Sequence, residues 1–220
     1  MRVAGLYAIL DLPHPRGLTP IELATAFVEG GAGLIQLRAK RATHLERLAT
    51  LRAIAAICHA GSVPLLVDDD LAAAEAGIPG VSGVHLGQTD LDELGPDPAR
   101  RIERLREVGL HVGISTHALG QVDAALGLGP TYLGFGPVFS TTSKRDPDPV
   151  VGLEGLTQAC ARADVPVVAI GGIGPEQLES VMKAGAAAIA VIGALIADTP
   201  EQTRERCHAL ATRLAMTSAS

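Results

Sequence analysis

The feature that most constrains the fold of this chain is an alternation of short apolar runs with longer amphipathic stretches, repeated eight times. The apolar runs predict buried strands at 3–10, 34–40, 64–69, 83–88, 111–116, 132–138, 166–172 and 188–193. The stretches after them predict helices at 20–29, 43–59, 71–76, 98–108, 119–126, 153–162, 175–184 and 200–214. Eight β-then-α units in 220 residues favour a closed parallel barrel over a doubly wound sheet, which would need fewer strands or a long unused tail. We therefore predict an α/β fold, a single (β/α)8 TIM barrel that takes in residues 1–220 as one domain.

Composition supports the barrel and limits its partners. Hydrophobic residues make up 47% of the chain but aromatic residues only 2%, so Ala, Val, Ile and Leu must build the core, which suits helices packed on a parallel sheet. The net charge is −6, and no basic cluster is dense enough to indicate nucleic-acid binding. No apolar run approaches the roughly 18 residues of a membrane span, and the chain begins with a strand-like segment rather than a signal peptide. We expect a cytoplasmic protein with no membrane partner; whether it forms a homo-oligomer stays open.

Basic side chains stand at the end of the second predicted strand. Gln36, Arg38 and Lys40 alternate along it and so share one face, which is costly inside a barrel unless it meets a ligand or partner. Lysine is scarce in this chain, and Lys40 and Lys144 both fall at strand ends or rim loops. Lys suits phosphate oxygens as a point charge, while Arg can make a two-pronged contact. An exposed strand end is the alternative interpretation, and phosphate binding is favoured.

Carboxylates end the next two predicted strands. Asp68 and Asp69 close the third strand, and Asp90 follows the fourth, shortly after His85. Because the chemistry of such barrels lies at the C-terminal ends of the strands, these groups should lie near Arg38. They could form simple ion pairs, or they could hold Mg²⁺, which takes one or two protein carboxylates together with substrate phosphate oxygens. Cations beside a metal suggest a diphosphate substrate.

The remaining strand ends indicate a second anion site. Glycines close the seventh and eighth predicted strands at Gly172 and Gly193, where barrels of this class often bind phosphate through backbone N–H groups. The sixth strand leads into a polar loop at 140–145, which we expect to act as a mobile lid over a phosphate. The fifth ends near Ser115 and His117, and this histidine is as readily a packed loop residue as a functional one.

Taken together, these segments resemble the thiamine phosphate synthase family. The resemblance rests on seven segments in order: Leu6-Tyr7-Ala8-Ile9, Gln36-x-Arg38-x-Lys40, the acidic end of the third strand, Gly83-Val84-His85-Leu86-Gly87-Gln88-Thr89-Asp90, Gly113-x-Ser115-Thr116-His117, Gly136-Pro137-Val138-Phe139 with Thr141-x-Ser143-Lys144, and Ile170-Gly171-Gly172-Ile173. They span nearly the whole chain. The resemblance implies a transferase: hydroxymethylpyrimidine diphosphate loses pyrophosphate, and the nitrogen of thiazole phosphate takes the exposed methylene, which gives thiamine phosphate.

The resemblance also implies roles for individual residues. Mg²⁺ would be held by Asp69 and Asp90. The diphosphate would be bound by Arg38, Lys40 and Lys144, and the pyrimidine by Gln36, His85 and Ser115. The thiazole phosphate would be bound by Thr141, Ser143, Gly172, Ile192 and Gly193. Lys144, Arg38 and Ser115 are the predicted catalytic residues. Fixed cations and Mg²⁺ stabilise the charge that builds on departing pyrophosphate, so the protein needs no strong nucleophile or general base.

Three positions depart from the family pattern. Asp68 stands where the family usually has Asn, Ser143 where it commonly has Thr, and Gly193 where Ser is common. An ionised Asp68, counted here among the substrate-binding residues, cannot donate a hydrogen bond to a diphosphate and repels it. It must be neutralised in one of three ways: by joining the metal shell, by pairing with a cation such as Arg38, or by taking up a proton. We expect the metal or the cation.

Two alternative functions stay open. The sister family of thiazole tautomerases shares the fold and most of the phosphate site, also has the Ser143 variant, and isomerises the thiazole by proton transfer without a metal. His117 would then be the acid/base candidate. That family usually lacks the two acids, so Asp69 and Asp90 favour the synthase. A non-catalytic, phosphate-binding sensor would explain Asp68, but it leaves the metal and diphosphate sites without a use.

Overall fold

Eight parallel strands close into a barrel in chain order, with the last strand paired to the first. They are β1 (Gly5–Asp11), β2 (Leu34–Arg38), β3 (Leu65–Asp68), β4 (Val81–Leu86), β5 (His111–Thr116), β6 (Tyr132–Phe135), β7 (Val167–Ile170) and β8 (Ala188–Val191). The computed structural model describes residues 2–13, 16–141 and 148–217. The predicted (β/α)8 barrel is confirmed.

A helix follows every strand. The helices are α1 (Pro20–Glu29), α2 (His44–Ala60), α3 (Leu71–Ala74), α4 (Pro98–Glu107), α5 (Leu119–Leu126), α6 (Gly152–Arg162), α7 (Leu178–Lys183) and α8 (Pro200–Thr217). A 3₁₀ helix at Gln88–Leu94, which the sequence did not predict, comes before α4. Most strands end one to three residues earlier than predicted, because the last residues of the predicted strands leave the sheet to form the rim. None of the helices in the described ranges is long and apolar enough to span a membrane.

The inside of the barrel is apolar over most of its length and polar at the C-terminal ends of the strands. Its apolar cluster consists of Val3, Tyr7, Ile9, Leu34, Leu66, Tyr132, Val168, Ala188 and Ala190. Since alternate residues of a strand point to the same face, Gln36 follows Leu34 inwards on β2, and Asp68 follows Leu66 on β3. A larger cluster of mainly Leu, Ile, Val and Ala fills the layer between the strands and the helices. The polar upper layer therefore rests on a packed floor.

Capping boxes fix the first two helices close to this polar layer. Thr19 accepts a hydrogen bond from the Glu22 N–H at 3.2 Å, and the Glu22 carboxylate accepts one from the Thr19 N–H at 2.8 Å. Thr43 and Glu46 repeat the pattern at the start of α2. Each such cap is worth about 1 kcal/mol. The second cap closes the loop that carries Lys40 away from β2, so it also restrains the rim of the site.

Candidate active site

A cavity of about 620 Å³ opens where the C-terminal ends of the strands meet. It gathers the predicted site residues that the structure describes, namely Gln36, Arg38, Lys40, Asp68, Asp69, His85, Asp90, Ser115, Thr141, Gly172, Ile192 and Gly193. His117, the acid/base candidate of the alternative function, lines the same cavity. Ser143 and Lys144, with most of the loop at 140–145, lie outside the described residues. The structure thus brings the described candidates together, and their individual roles stay predictions.

One side of the cavity, called the charged wall here, consists of Arg38, Lys40, Asp68, Asp69 and Asp90. Its two cations already have partners. Arg38 Nη1 donates to Asp11 Oδ1 at 2.6 Å, and Lys40 Nζ donates to Asp69 Oδ2 at 2.7 Å. Partial burial lowers the pKa of Lys40, but the carboxylate of Asp69 outweighs it and the pKa lies above its ordinary value. Both cations are therefore charged and held in place before any ligand arrives.

Asp68 is the most buried acid of this wall, with 7% of its surface exposed. Its Oδ1 accepts a hydrogen bond from Gln36 Nε2 at 3.0 Å, and its Oδ2 lies 3.6 Å from Arg38 Nε without a hydrogen bond. The expected pairing with a cation such as Arg38 is thus present. Burial, together with the neighbouring charge of Asp69, still raises the pKa of Asp68 to about 7. The ion pair and a proton therefore compete for this carboxyl near neutral pH.

Asp69 and Asp90 converge over Gly87. The Gly87 N–H donates to Asp69 Oδ1 at 3.0 Å. A Cβ placed on Gly87 would lie 2.7 Å from Asp90 Oδ2 and 3.6 Å from Asp69 Oδ1, so glycine is needed there to let the two carboxylates approach. Asp69 itself has a φ of +53°, a backbone conformation that is strained for residues other than glycine. Asp adopts this conformation more readily than most residues, and here it accompanies the hydrogen bond that the Asp69 carboxylate accepts from Gly87.

The pKa values of these two acids move in opposite directions. Burial raises the pKa of Asp69, but the hydrogen bonds from Lys40 and the Gly87 N–H outweigh it and leave the pKa below its ordinary value. Burial and the charge of Asp69 raise the pKa of Asp90. Two close carboxylates repel each other, and a divalent cation between them would remove the conflict.

The two carboxylates of the charged wall that converge over Gly87 fit Mg²⁺. Among residues 2–13, 16–141 and 148–217 there is no group of three or more His, Cys, Asp or Glu side chains placed to hold a metal. Mg²⁺ does not need one, since it is commonly bound by one or two carboxylates plus waters and substrate phosphate oxygens. Asp69 and Asp90 supply that pair beside the two cations.

The middle of the cavity is lined by a hydrogen-bonded pair with tyrosines behind it. Ser115 Oγ and His85 Nε2 are 2.8 Å apart, and His85 Nδ1 is 2.8 Å from the Tyr132 hydroxyl. That hydroxyl is in turn 2.9 Å from the hydroxyl of Tyr7. Sequence reasoning gave neither tyrosine a role, although Tyr7 lies in one of the segments that carry the resemblance. A signal was present, since they are the two tyrosines of the chain and each lies in a predicted strand.

The other side of the cavity, called the glycine wall here, consists of Gly171, Gly172, Ile192 and Gly193. Gly171 and Gly172 have φ values of +99° and +64°. A Cβ on Gly172 would lie 2.3 Å from the carbonyl oxygen of Ser140, whereas nothing lies within 4 Å of one on Gly193. Glycine at 172 is therefore required by the loop from β6 that packs against it, a reason the sequence did not reveal. At 193 the space is open to the cavity.

His117 lies between the two walls, just after β5. Its Nδ1 donates to the carbonyl oxygen of Gly136 at 2.6 Å, and its Nε2 is 3.5 Å from Asp148 Oδ2. The Gln121 side chain accepts a hydrogen bond from its backbone N–H at 2.7 Å. The ring is thus fixed by the loops on both sides of it, as expected of a packed loop residue, although it also lines the cavity.

Comparison with known proteins points to one family. The family model described as "Thiamine monophosphate synthase" matches residues 6–195. The thiamine-phosphate synthase of Salinibacter ruber is 37% identical over 214 residues, which cover 94% of this chain and 88% of that protein. The protein of the same name from Anaeromyxobacter dehalogenans is 39% identical over 211 residues, with the same coverage. The solved structure of thiamine phosphate pyrophosphorylase from Pyrococcus furiosus superimposes with a TM-score of 0.80 at 29% identity and covers 98% of both chains.

Proposed function

The chain belongs to the thiamine monophosphate synthase family, and we propose that its cavity joins hydroxymethylpyrimidine diphosphate to thiazole phosphate, giving thiamine phosphate and pyrophosphate. The reaction is a group transfer, as the names of its relatives imply. One observation carries the proposal: a cavity of about 620 Å³ has paired cations and paired carboxylates on one wall and open backbone on the other. β3 and β7, which lead to the two walls, lie half-way round the barrel from each other. Two anionic groups can therefore bind at separate ends.

The charged wall suits the diphosphate because charge moves onto the leaving group during the reaction. The bond between the methylene carbon and the diphosphate oxygen breaks, and its electron pair leaves with pyrophosphate. The thiazole nitrogen supplies the pair for the new carbon–nitrogen bond. Arg38 and Lys40 are held at this wall before the substrate arrives. Once the diphosphate has replaced their carboxylate partners, they can stabilise the charge that grows on it. Lys144, outside the described residues, is assigned to the same oxygens.

Asp69 and Asp90 would hold Mg²⁺ beside these cations. When bound, the ion would supply positive charge at the diphosphate oxygens. The protein's own part is to keep the two carboxylates together over Gly87, at the strained backbone of Asp69. Lys40, which pairs with Asp69 in the free protein, would supply its charge to the diphosphate oxygens beside the ion. We assign no proton transfer to these acids.

The rest of the cavity is assigned to the organic parts of the substrates. Gln36, His85 and Ser115 face the middle of the cavity and would take the pyrimidine. The glycine wall, with Thr141 and Ser143, would take the phosphate of the thiazole through backbone N–H groups and hydroxyls. This division places the pyrimidine between the two anions, with its methylene towards the thiazole.

The tautomerase alternative depends on His117, which lines the cavity. A tautomerase would use this ring as acid and base and would leave Asp69 and Asp90 idle. A sensor would leave both the acids and the cations idle. The close approach of Asp69 and Asp90 over Gly87, beside Lys40, would have no use in either alternative, so the synthase is favoured.

The proposal is tested by supplying both substrates to the purified protein with Mg²⁺ and, separately, with excess chelator. We expect thiamine phosphate and pyrophosphate in equal amounts, only with both substrates and only with the metal. Full coupling activity in excess chelator would show that the reaction does not need the metal. Isomerisation of the thiazole without any pyrimidine substrate would favour the tautomerase, and no conversion of either kind would favour a binding protein.

A further inference from the structure

Four hydrogen-bonded side chains connect the inner core of the barrel to the cavity. The chain of contacts runs from Tyr7 through Tyr132 and His85 to Ser115, with separations of 2.9, 2.8 and 2.8 Å. Both tyrosines are buried in the inner apolar cluster, and the His85 ring stacks on Tyr132 with centroids 5.5 Å apart. Of the four, His85 and Ser115 line the cavity. The buried end can therefore influence what the exposed end offers to a ligand.

The protons along this chain can point outward or inward, because each hydroxyl has one proton to donate. In the outward direction, Tyr7 donates to Tyr132, which donates to His85 Nδ1. The Nε2–H of His85 then donates to Ser115, whose own proton is left for the cavity. In the inward direction, Ser115 donates to His85 Nε2, and the Nδ1–H donates to Tyr132. The last proton is then left on Tyr7.

Tyr7 decides between the two directions. Among the residues that the structure describes, its hydroxyl is hydrogen-bonded to Tyr132 alone, and 2% of the residue is exposed. The inward direction would bury the Tyr7 proton without an acceptor, and so would a doubly protonated His85. An unpaired buried donor is costly, whereas a spare acceptor lone pair is tolerated more easily. The outward direction leaves only spare lone pairs on Tyr7.

We propose that Tyr132, oriented by Tyr7, is a positioning residue that holds His85 as the Nε2–H tautomer and so makes Ser115 a hydrogen-bond donor to the substrate. Neither tyrosine lines the cavity. Their effect passes through His85, which accepts at one ring nitrogen and therefore donates at the other. The consequence for recognition rests on the proposed function, whereas the tautomer itself does not.

Gln36, which lines the same cavity as Ser115, supplies the opposite polarity. Its Nε2 donates one of its two N–H groups to Asp68 Oδ1 at 3.0 Å. This bond orients the amide and leaves its carbonyl oxygen, the acceptor of the side chain, for a ligand, together with the second N–H. An acceptor on Gln36 and a donor on Ser115 match the amino group and the neighbouring ring nitrogen of the aminopyrimidine. In an analogue with an oxo group in place of the amino group, the oxo group is an acceptor and the neighbouring ring nitrogen carries a hydrogen. Donor and acceptor are then exchanged at both positions. The pair should therefore select the amino form.

The tautomer can be read directly by ¹⁵N NMR of the full-length protein labelled at histidine, with the His85 signals assigned from a His85→Gln variant. We expect Nδ1 unprotonated and Nε2 protonated near neutral pH, without substrate or metal. A protonated Nδ1, alone or with Nε2, would overturn the proposal. This result stands even if the protein couples no substrate, so failure of the proposed function would be recognised separately.

The effect on recognition is measured as the ratio of kcat/KM for the amino substrate to that for its oxo analogue. Tyr132→Phe keeps the ring but removes the donor to His85, and we expect the ratio to fall about tenfold, the discrimination that one hydrogen bond provides. In Tyr7→Phe, Tyr132 keeps His85 as its acceptor, so a smaller fall is expected. Thr131→Val is the matched control, since it removes a hydroxyl that accepts from the Val112 N–H at the opposite end of the barrel.

The control separates recognition from stability. Thr131→Val should lower the free energy of unfolding while leaving the ratio within about twofold. If Tyr132→Phe leaves the ratio unchanged, or if Thr131→Val lowers it equally, the positioning role is wrong. If Tyr132→Phe does not fold, the NMR spectrum of the unaltered protein still decides the tautomer.

Discussion

The charged wall and the glycine wall would bind an anion through different groups, charged side chains at the first and backbone at the second. Arg38 and Lys40 on the charged wall are held by carboxylates at 2.6 and 2.7 Å, so an arriving diphosphate must exchange partners with them. The glycine wall carries no charged or titratable side chain, and its open position is the bare backbone of Gly193. Binding at the first wall should therefore depend on the metal and on charge, and binding at the second on shape.

The two walls also differ in where backbone strain is stored. On the charged wall the strained residue is Asp69, which has a φ of +53° and a side chain that would favour another conformation. On the glycine wall Gly171 and Gly172 have positive φ values at no steric cost. The first wall holds a functional group against its preference, and the second makes room for a neighbouring loop. Changes at the first wall should therefore affect chemistry, and changes at the second should affect fit.

The largest expected effect comes from removing a carboxylate of the charged wall. Asp90→Ala should lower kcat/KM by about 10²–10³, because a lost metal contact forfeits several kcal/mol of transition-state stabilisation. The matched control is Asp92→Ala, an exposed acid of the same 3₁₀ helix that is outside the cavity lining. Steady-state kinetics of both variants, with circular dichroism to verify folding, measure the difference. Equal activity in the two variants would contradict the assignment of a metal to Asp90 on the charged wall.

The next effect tests the glycine wall. In Gly172→Ala the new Cβ would lie 2.3 Å from the Ser140 carbonyl oxygen, so the loop must move. We expect the KM for thiazole phosphate to rise about tenfold and the KM for the diphosphate substrate to change less than about threefold. Gly193→Ala, where the space is open, should have a smaller effect. The opposite pattern, a raised KM for the diphosphate substrate with an unchanged KM for thiazole phosphate, would contradict the division between the walls.

A smaller effect should come from Asp68→Asn, which replaces the buried carboxylate by an amide of nearly the same shape. The change removes a negative charge that metal must otherwise screen, so the Mg²⁺ concentration for half-maximal rate should fall about two- to fivefold. The hydrogen bond to Gln36 can be kept by the amide oxygen. A Mg²⁺ titration of the coupling rate measures the shift. Loss of activity in a folded variant would show that Asp68 has a positive role.

The smallest effect is expected for His117→Ala, between the two walls. In a synthase this ring transfers no proton, so coupling should fall less than about fivefold, well below the 10²–10⁴ associated with a general acid or base. The same preparations should be assayed for thiazole isomerisation. Isomerase turnover by the unaltered protein that disappears in the variant would favour the tautomerase instead.

The charged wall could be predicted from sequence far better than the glycine wall. Arg38, Lys40 and Asp69 can be recognised as binding groups by residue type, and alternation along the second predicted strand puts Arg38 and Lys40 on one face. Gly172 declares only the absence of a side chain, and its close approach to Ser140 depends on a loop path that local patterns do not encode. The left-handed backbone of Asp69 and the contact between Tyr7 and Tyr132 were missed for the same reason, since both depend on neighbouring strands.

The claim that the walls have separate roles is tested most directly by isothermal titration calorimetry with two ligands, pyrophosphate and thiazole phosphate, each with and without Mg²⁺. We predict that the metal tightens pyrophosphate binding at least about tenfold, which is about 1.4 kcal/mol, and changes thiazole phosphate binding less than about twofold. An equal response of both ligands to Mg²⁺, or none from either, would contradict the account.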